Sequence, residues 1–310
     1  MKLATALGTV YIVWGSTYLG IAVAERALPP LLMLSIRFLV AGALLYAWAR
    51  RRGEVAAERP GRREWGAAAL VGFLLLVVET GAVAFAEQHV PTGLTALIVA
   101  SVPLFMIVID RAFFGIRISP LAGAGVLAGF LGVGLLAGGG TGSVDPLWAL
   151  VLLGGALVWA GGSAYARVAP LPKASILSAG MQMLTSGLVL GVVAVANGDL
   201  AHVPPGALSF TSVGTIAYLV GAGSILAYTA YGWLLKNAPT PLVSTYAYIN
   251  PAVAVLLGWV FAGEHLGARE AVAGVVVVAS VALILAARAP APAKVERLPR
   301  RAAAPEQAAA

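Results

Sequence analysis

The sequence predicts an all-α membrane protein whose ten transmembrane helices form two inverted five-helix repeats. Three observations carry that reading. Hydrophobic residues make up 60% of the 310 positions and charged residues only 11%, against about 25% charged in a soluble domain. The basic residues alternate between successive connections, as a topology signal does. The two halves of the chain also match each other at an offset of 145–148 residues.

A helix needs about 20 apolar residues to cross the hydrocarbon core. Ten runs approach that length: 3–22, 30–49, 65–86, 91–109, 119–137, 147–166, 174–196, 211–235, 241–262 and 270–287. Prolines punctuate them at Pro29-Pro30, Pro91, Pro120, Pro146, Pro170, Pro204-Pro205 and Pro239, and proline is well tolerated where a helix begins. The first run, with Lys2 ahead of it and Ala22-Val23-Ala24 after it, has a signal-peptide look. Its Trp14, Ser16 and Tyr18, and its counterpart later in the chain, favour a retained span.

With the N-terminus placed in the cytoplasm, 17 of the 20 Lys and Arg residues fall on the inner side, including the run Arg50-Arg51-Arg52 and Arg59, Arg62 and Arg63. Only Arg26 and Arg269 fall outside, and Arg37 lies within a span. That asymmetry predicts both termini in the cytoplasm of a multi-pass inner-membrane protein. It also accounts for the net charge of +7 without a nucleic-acid partner. Residues 288–310, rich in Ala, Pro and Arg, read as a disordered cytoplasmic tail whose basic residues suit anionic lipid headgroups.

The offset of 145 pairs Val13-Trp14 with Val158-Trp159, Arg37 with Gln182 and Gly42 with Gly187. The offset of 148 pairs Pro91-Thr92 with Pro239-Thr240, Pro103 with Pro251, and Gly115 with Gly263. The repeats are therefore 3–137 and 147–287. Five spans is an odd number, so the second unit enters the membrane from the opposite side, as in many secondary transporters.

Chemistry is expected where helices break. Pro103 and Pro251 lie inside spans four and nine, and each frees a carbonyl four residues earlier, at Val99 and Ala247. Such backbone is tolerable only against protein or a wet cavity. Polar and aromatic residues share helical faces nearby: Tyr246 with Asn250; Ser224, Tyr228 and Tyr231; Tyr11, Trp14 and Tyr18; Trp159 and Ser163. The predicted substrate cavity is lined by Trp14, Arg37, Glu79, Ser101, Gln182, Tyr228, Tyr246 and Asn250. Helix packing accounts for any one of these equally well; their convergence favours a cavity. Gly123, Gly125, Gly129, Gly132 and Gly134 in span five serve close helix packing, within a monomer or in a homodimer.

Arg37 and Glu79 are the two charges well inside spans, and each lies about seven residues, or roughly 10 Å, from its outer end. Equal depth on neighbouring helices predicts an ion pair, either structural or broken by a proton in a coupling step. Asp110 is expected to pair with adjacent Arg111, and Glu25, Glu87 and Glu264 to rim the outer entrance or face water.

Several chemistries find no support. Cysteine is absent, and His89, His202 and His265 make no ligand spacing, so no metal site or cofactor is expected. H-E-x-x-H, G-x-S-x-G and phosphate-cradling loops are missing, which argues against an enzyme or an ATP-driven pump. A secondary transporter of a small molecule remains, ahead of a passive channel or scaffold.

Val13-Trp14-Gly15-Ser16-Thr17-Tyr18, Pro30-Leu31 with Arg37-Phe38, Val102-Pro103-Leu104, and Tyr246-Ala247-Tyr248-Ile249-Asn250-Pro251 with Gly263-Glu264 together resemble the drug/metabolite transporter superfamily, and within it the EamA group. The resemblance spans residues 3–287. It implies two EamA repeats, a central cavity between spans one to four and six to nine with spans five and ten outside, and export or exchange of amino acids or other small metabolites. Glu79 departs from that pattern, which would place a neutral polar residue there.

Overall fold

In the computed structural model, residues 3–115, 118–137, 144–207, 209–264 and 267–286 are described. The predicted tail lies outside them, as do Lys2, Arg117 and His265. Among the described residues every regular element is helical. In order they are α1 (Leu3–Ala24), α2 (Pro30–Arg51), the short α3 (Glu54–Glu58), α4 (Arg62–Glu87), α5 (Thr92–Val99), α6 (Val102–Phe114), α7 (Pro120–Ala137), α8 (Pro146–Ala166), α9 (Ser175–Ala196), a 3-10 turn (Asp199–His202), α10 (Phe210–Asn237), the short α11 (Thr240–Val243), α12 (Tyr246–Ala262) and α13 (Ala268–Ala286).

Seven helical runs among the described residues are long and apolar enough to cross a membrane: α1, α2, α4, the α5–α6 pair, α8, α9 and α10. Shorter apolar stretches lie at Pro120–Leu135, Ile249–Ala262 and Ala271–Ser280, in α7, α12 and α13. Local sequence sets the helix ends. Pro30 and Pro146 occupy first-turn positions, and Asp145 caps α8 by accepting from Leu147 N at 2.8 Å. At the other ends, α6 and α12 stop at Gly115 (φ 66°) and Gly263 (φ 69°), left-handed positions that glycine occupies without strain.

The surface is apolar and the interior carries the polar groups. Leu127, Leu131, Val192 and Phe113 are largely exposed, while Thr17, Ser35, Arg37, Glu79, Gln182, Ser186, Ser224 and Asn250 are buried. That inversion suits a lipid surround, where outward aliphatic side chains lose nothing and inward polar groups find partners.

Helix contacts follow a recurring scheme. α2 runs along α9, and α7 along α13. α1 touches α10 and α12, while α8 touches α4 and the α5–α6 pair. The contacts of α1 and of α8 thus run alike, each reaching two helical runs of the other half. Small residues bring the backbones close: a Cβ on Gly42 would stand 2.7 Å from Leu184 N, and one on Gly187 would stand 2.7 Å from Leu39 N. A side chain at either position would push α2 and α9 apart. In α7, Gly129 and Gly132 pack against α13 within the chain, whereas Gly123 and Gly134 meet nothing.

The two proline breaks differ. Pro103 heads α6, directly after the interruption at Ala100–Ser101. Pro251 lies inside its span as expected, within α12, but the expected helix break there is corrected: the interruption falls earlier, at Ser244–Thr245. The bond that Pro251 removes would have held the carbonyl of Ala247, in the first turn of α12. The chain breaks at the end of that weakened turn, where Ala247 N bonds Ser244 O in a three-residue step rather than a helical one.

Candidate functional site: a charged cavity between the halves

Three helices loosen into π-helical turns: α1 over Val10–Trp14, α4 over Phe73–Glu79 and α10 over Leu219–Tyr228. Such turns are rare and occur disproportionately at functional sites. Each ends on a residue of one cavity: Trp14, Glu79 and Tyr228. The cavity has a volume of about 70 Å3 and draws its lining from both halves. Beyond those three, it is faced by Thr17, Tyr18, Arg37, Thr80, Trp159, Ser224, Tyr246 and Asn250, with Ile21, Val83, Val99 and Met183 among the apolar residues.

Arg37 is 5% exposed. Its Nε donates to Ser224 Oγ at 2.8 Å, its guanidinium lies 5.2 Å from the Phe38 ring centroid, and its buried Nη1 has no partner. Glu79 is 8% exposed, and its Oε2 accepts from Thr80 Oγ1 at 3.2 Å. No ion pair joins Arg37 to Glu79, so the predicted direct pair is corrected. α2 packs on α9 and α10, and Arg37 therefore reaches Ser224 of α10 while the cavity lies between it and Glu79.

Six of the eight sequence-predicted residues line this cavity: Trp14, Arg37, Glu79, Tyr228, Tyr246 and Asn250. The structure does not bring Ser101 and Gln182 onto it. Ser101 is buried at the α5–α6 break with its hydroxyl unpartnered. Gln182 lines a neighbouring cavity of about 20 Å3 with Ser178, Tyr231 and Lys236. It meets the main cavity through Tyr228, whose hydroxyl donates to Gln182 Oε1 at 2.6 Å. Thr80 was missed, although its position beside a buried carboxylate was the available clue. The π turns left no local signature, because they depend on neighbouring helices.

An aromatic group closes the cavity toward the face where the chain begins. Trp14 packs on Trp159, Tyr231 and Tyr246 at centroid distances of 5.3, 4.9 and 5.5 Å. Tyr231 accepts from Trp159 Nε1 at 3.1 Å and bonds Ser163 Oγ at 2.8 Å. Asn250, oriented so that its amide nitrogen donates, holds Tyr11 O at 2.9 Å and Tyr246 O at 3.2 Å. Tyr11 in turn bonds Thr245 through their hydroxyls, so the loosened part of α1 is tied to the break before α12.

Toward the other face, Glu25, Glu87 and Glu264 line a vestibule of about 430 Å3 with Arg26, His89 and Thr92. Glu264 caps α5, accepting from Thr92 N at 2.8 Å and Gly93 N at 3.2 Å. Asp110 corrects another expectation: it pairs with Arg167 of the second half rather than with adjacent Arg111. Consecutive residues point about 100° apart around a helix, so Arg111 does not share Asp110's inward face.

A buried polar cavity, framed by loosened membrane helices of both halves, defines a multi-pass membrane transporter. The chain belongs to the EamA-like transporter family, which matches residues 3–138 and 146–286. It is similar to the uncharacterized inner membrane transporter YedA of Escherichia coli (strain K12), with 40% identity over 285 residues, covering 92% of this chain and 90% of that protein. A protein of Streptantibioticus cattleyicolor named "Probable terminal-alkyne amino-acid exporter" is 25% identical over 294 residues, covering 91% of this chain and 93% of its own length. One solved crystal structure shares the fold at a TM-score of 0.67 and 19% identity, covering 90% of this chain and 96% of that one.

Proposed function

We propose that the protein is a secondary transporter that exports or exchanges a small metabolite, such as an amino acid, a related metabolite or a drug-like compound, across the bacterial inner membrane by alternating access. The observation that carries this reading is the charged cavity on which the π turns of α1, α4 and α10 all end. A loosened helix bends at lower cost than a regular one, so the three segments are placed to act as hinges around a bound solute. The export direction is supported by the name of the Streptantibioticus relative.

The proposed architecture is ten spans, with α7, α12 and α13 completing the set, arranged as inverted repeats over 3–137 and 147–287 with both termini cytoplasmic. The contacts of α1 with α10 and α12, matched by those of α8 with α4 and the α5–α6 pair, support it. Two related packings then open to opposite sides, and the sites exchange without either half unfolding. Glu79, lacking an ion pair, is available either to the solute or to a coupling proton. Homodimerisation through the glycines of α7 would use the Gly123–Gly134 side, because Gly129 and Gly132 pack within the chain.

Counterflow in proteoliposomes tests the mechanism. Labelled solute should enter faster when unlabelled solute is trapped inside, which a passive channel does not produce; a panel of amino acids and amines without trans-stimulation rejects a carrier. Reporter fusions after Arg59 and at the C-terminus should both report cytoplasm, and a periplasmic signal from either rejects the topology.

A further inference from the structure

We infer that the connection from α2 to α4 is a binding surface for the phosphate group of an anionic phospholipid, formed by Arg50, Arg51, Arg59, Arg62 and Arg63. Such a surface requires only a chain that crosses a membrane, whatever solute it carries. Positions 50–64 hold six arginines and three glutamates. Each glutamate already has a partner. Glu54 Oε1 stands 3.1 Å from Arg52 Nε, Glu58 accepts from the amides of Lys173 and Ala174, and Glu64 Oε2 accepts from Gly61 N at 2.8 Å. Arg50, Arg51, Arg59, Arg62 and Arg63 are exposed, and none of them pairs with a carboxylate among the described residues.

The surrounding surface says which anion answers them. On α2 the exposed apolar stripe Val40, Leu44 and Trp48, at intervals of four, reaches Arg51 and Arg52 one turn later. On α4 the order is reversed, from Arg62 and Arg63 through Gly66 to exposed Leu70 and Phe73. Residues three and four apart share a helical face, so the guanidiniums stand where the lipid-facing surface ends, at the level of Trp48 and of the headgroups. The ring contact of Tyr46 with Trp65, at a centroid distance of 5.8 Å, joins the end of α2 to the start of α4. Arg62 and Arg63 occupy the first turn of α4, where the helix dipole is already positive, and an anion there relieves both charges. Arg59 adds a separate observation. It ends α3 with a φ of 44°, the one positive value at a non-glycine residue among the described residues. Glycine would take that conformation without strain. Backbone strain of this kind gathers at ligand clamps, and here it carries a planar guanidinium fork, which suits a phosphate.

The test is thermal unfolding of the purified full-length protein in neutral detergent micelles titrated with phosphatidylglycerol, with phosphatidylcholine as the matched zwitterionic lipid. Phosphatidylglycerol should raise the melting temperature at a mole fraction at least about tenfold lower than phosphatidylcholine, and combining Arg59→Gly, Arg62→Gln and Arg63→Gln should erase that difference. Arg59→Gly alone serves if the combination does not fold. It should melt no lower than the parent in lipid-free micelles, because it removes strain, and should still need more phosphatidylglycerol. Combining Arg297→Gln, Arg300→Gln and Arg301→Gln removes as many charges elsewhere and should leave the lipid response unchanged. Inorganic phosphate and glycerol phosphate at the same phosphate concentration should give no shift. An equal shift from either makes the ligand a free phosphate and overturns the lipid assignment. Equal responses of the parent to the two lipids overturn the surface, as does a loss in the tail variant as large as in the loop variant, or a parent-like lipid response in Arg59→Gly.

Discussion

The two ends of the molecule are built differently. At the end where the chain begins, polar groups are matched. Glu58 of α3 accepts from Lys173 N and Ala174 N at 2.5 and 2.7 Å, Lys236 Nζ donates to Pro172 O at 2.6 Å, and Asp110 holds Arg167. Behind them lies the aromatic group around Tyr231. At the opposite end one carboxylate, Glu264, caps α5, while both oxygens of Glu87 and Oε1 of Glu25 have no partner and border the vestibule. The difference teaches that buried polar groups are more fully matched at the end where the chain begins than at the vestibule, where His89 stacks on Trp148 but two carboxylates stay unpartnered. The Glu264 cap on α5 at that vestibule is one that a helix start can lose at modest cost.

The largest test of that contrast is Tyr231→Ala. The ring is 1% exposed and touches Trp14, Trp159 and Tyr246, so its removal should cost about 3–5 kcal/mol in stability, read by thermal unfolding in detergent. Because the chain has no cysteine, access can be read directly with introduced thiols. A thiol at Ser178→Cys should react slowly with a membrane-impermeant maleimide and faster when Tyr231→Ala is added. A thiol at Gln88→Cys, in the vestibule, should react rapidly in both backgrounds. Equal rates at the two positions in the parent would break the comparison.

Glu264→Ala and Glu58→Ala sharpen it further. Each removes a carboxylate that satisfies two backbone donors at a helix start, and losing such a cap costs about 0.5–2 kcal/mol. Glu58→Ala should raise labelling at Ser178→Cys, whereas Glu264→Ala should leave it unchanged. If both variants change labelling at the same end, the two caps do not act on separate doors.

The smallest effect concerns pH. Burial raises the Glu25 carboxyl from its ordinary 4.5 to about 8. The folded chain then holds a proton that the unfolded chain releases between those values. Stability from this group is full below about pH 4.5 and lost as pH rises through about 8. The melting temperature should therefore fall between pH 5 and 9, with a shallower fall in Glu25→Gln. An identical slope in the two proteins would show that Glu25 carries none of it.

Much of this arrangement was legible before folding was considered. Apolar runs and prolines located the helices, and the 148-residue offset paired Gly115 with Gly263, which end α6 and α12 in the same way. Four-residue spacing placed Tyr246 and Asn250 on one face, and the cost of a buried charge singled out Arg37 and Glu79. These readings rest on local periodicity and on the price of burial, which one chain segment expresses by itself.

Only the tertiary structure decided who meets whom. Depth along a helix is readable from residue counts, but the direction a side chain faces depends on how each helix is rotated against its neighbours. Arg37 therefore turned to Ser224 rather than Glu79, Asp110 to Arg167 rather than Arg111, and Gln182 to Tyr228 in a second cavity. The π turns belong to the same class. An extra residue in a helical turn weakens local hydrogen bonding, and only the surrounding packing of α1, α4 and α10 decides where that is tolerated. Composition and spacing thus determined a membrane protein with two charges inside its helices; the rotation of those helices determined that the charges face a cavity instead of each other.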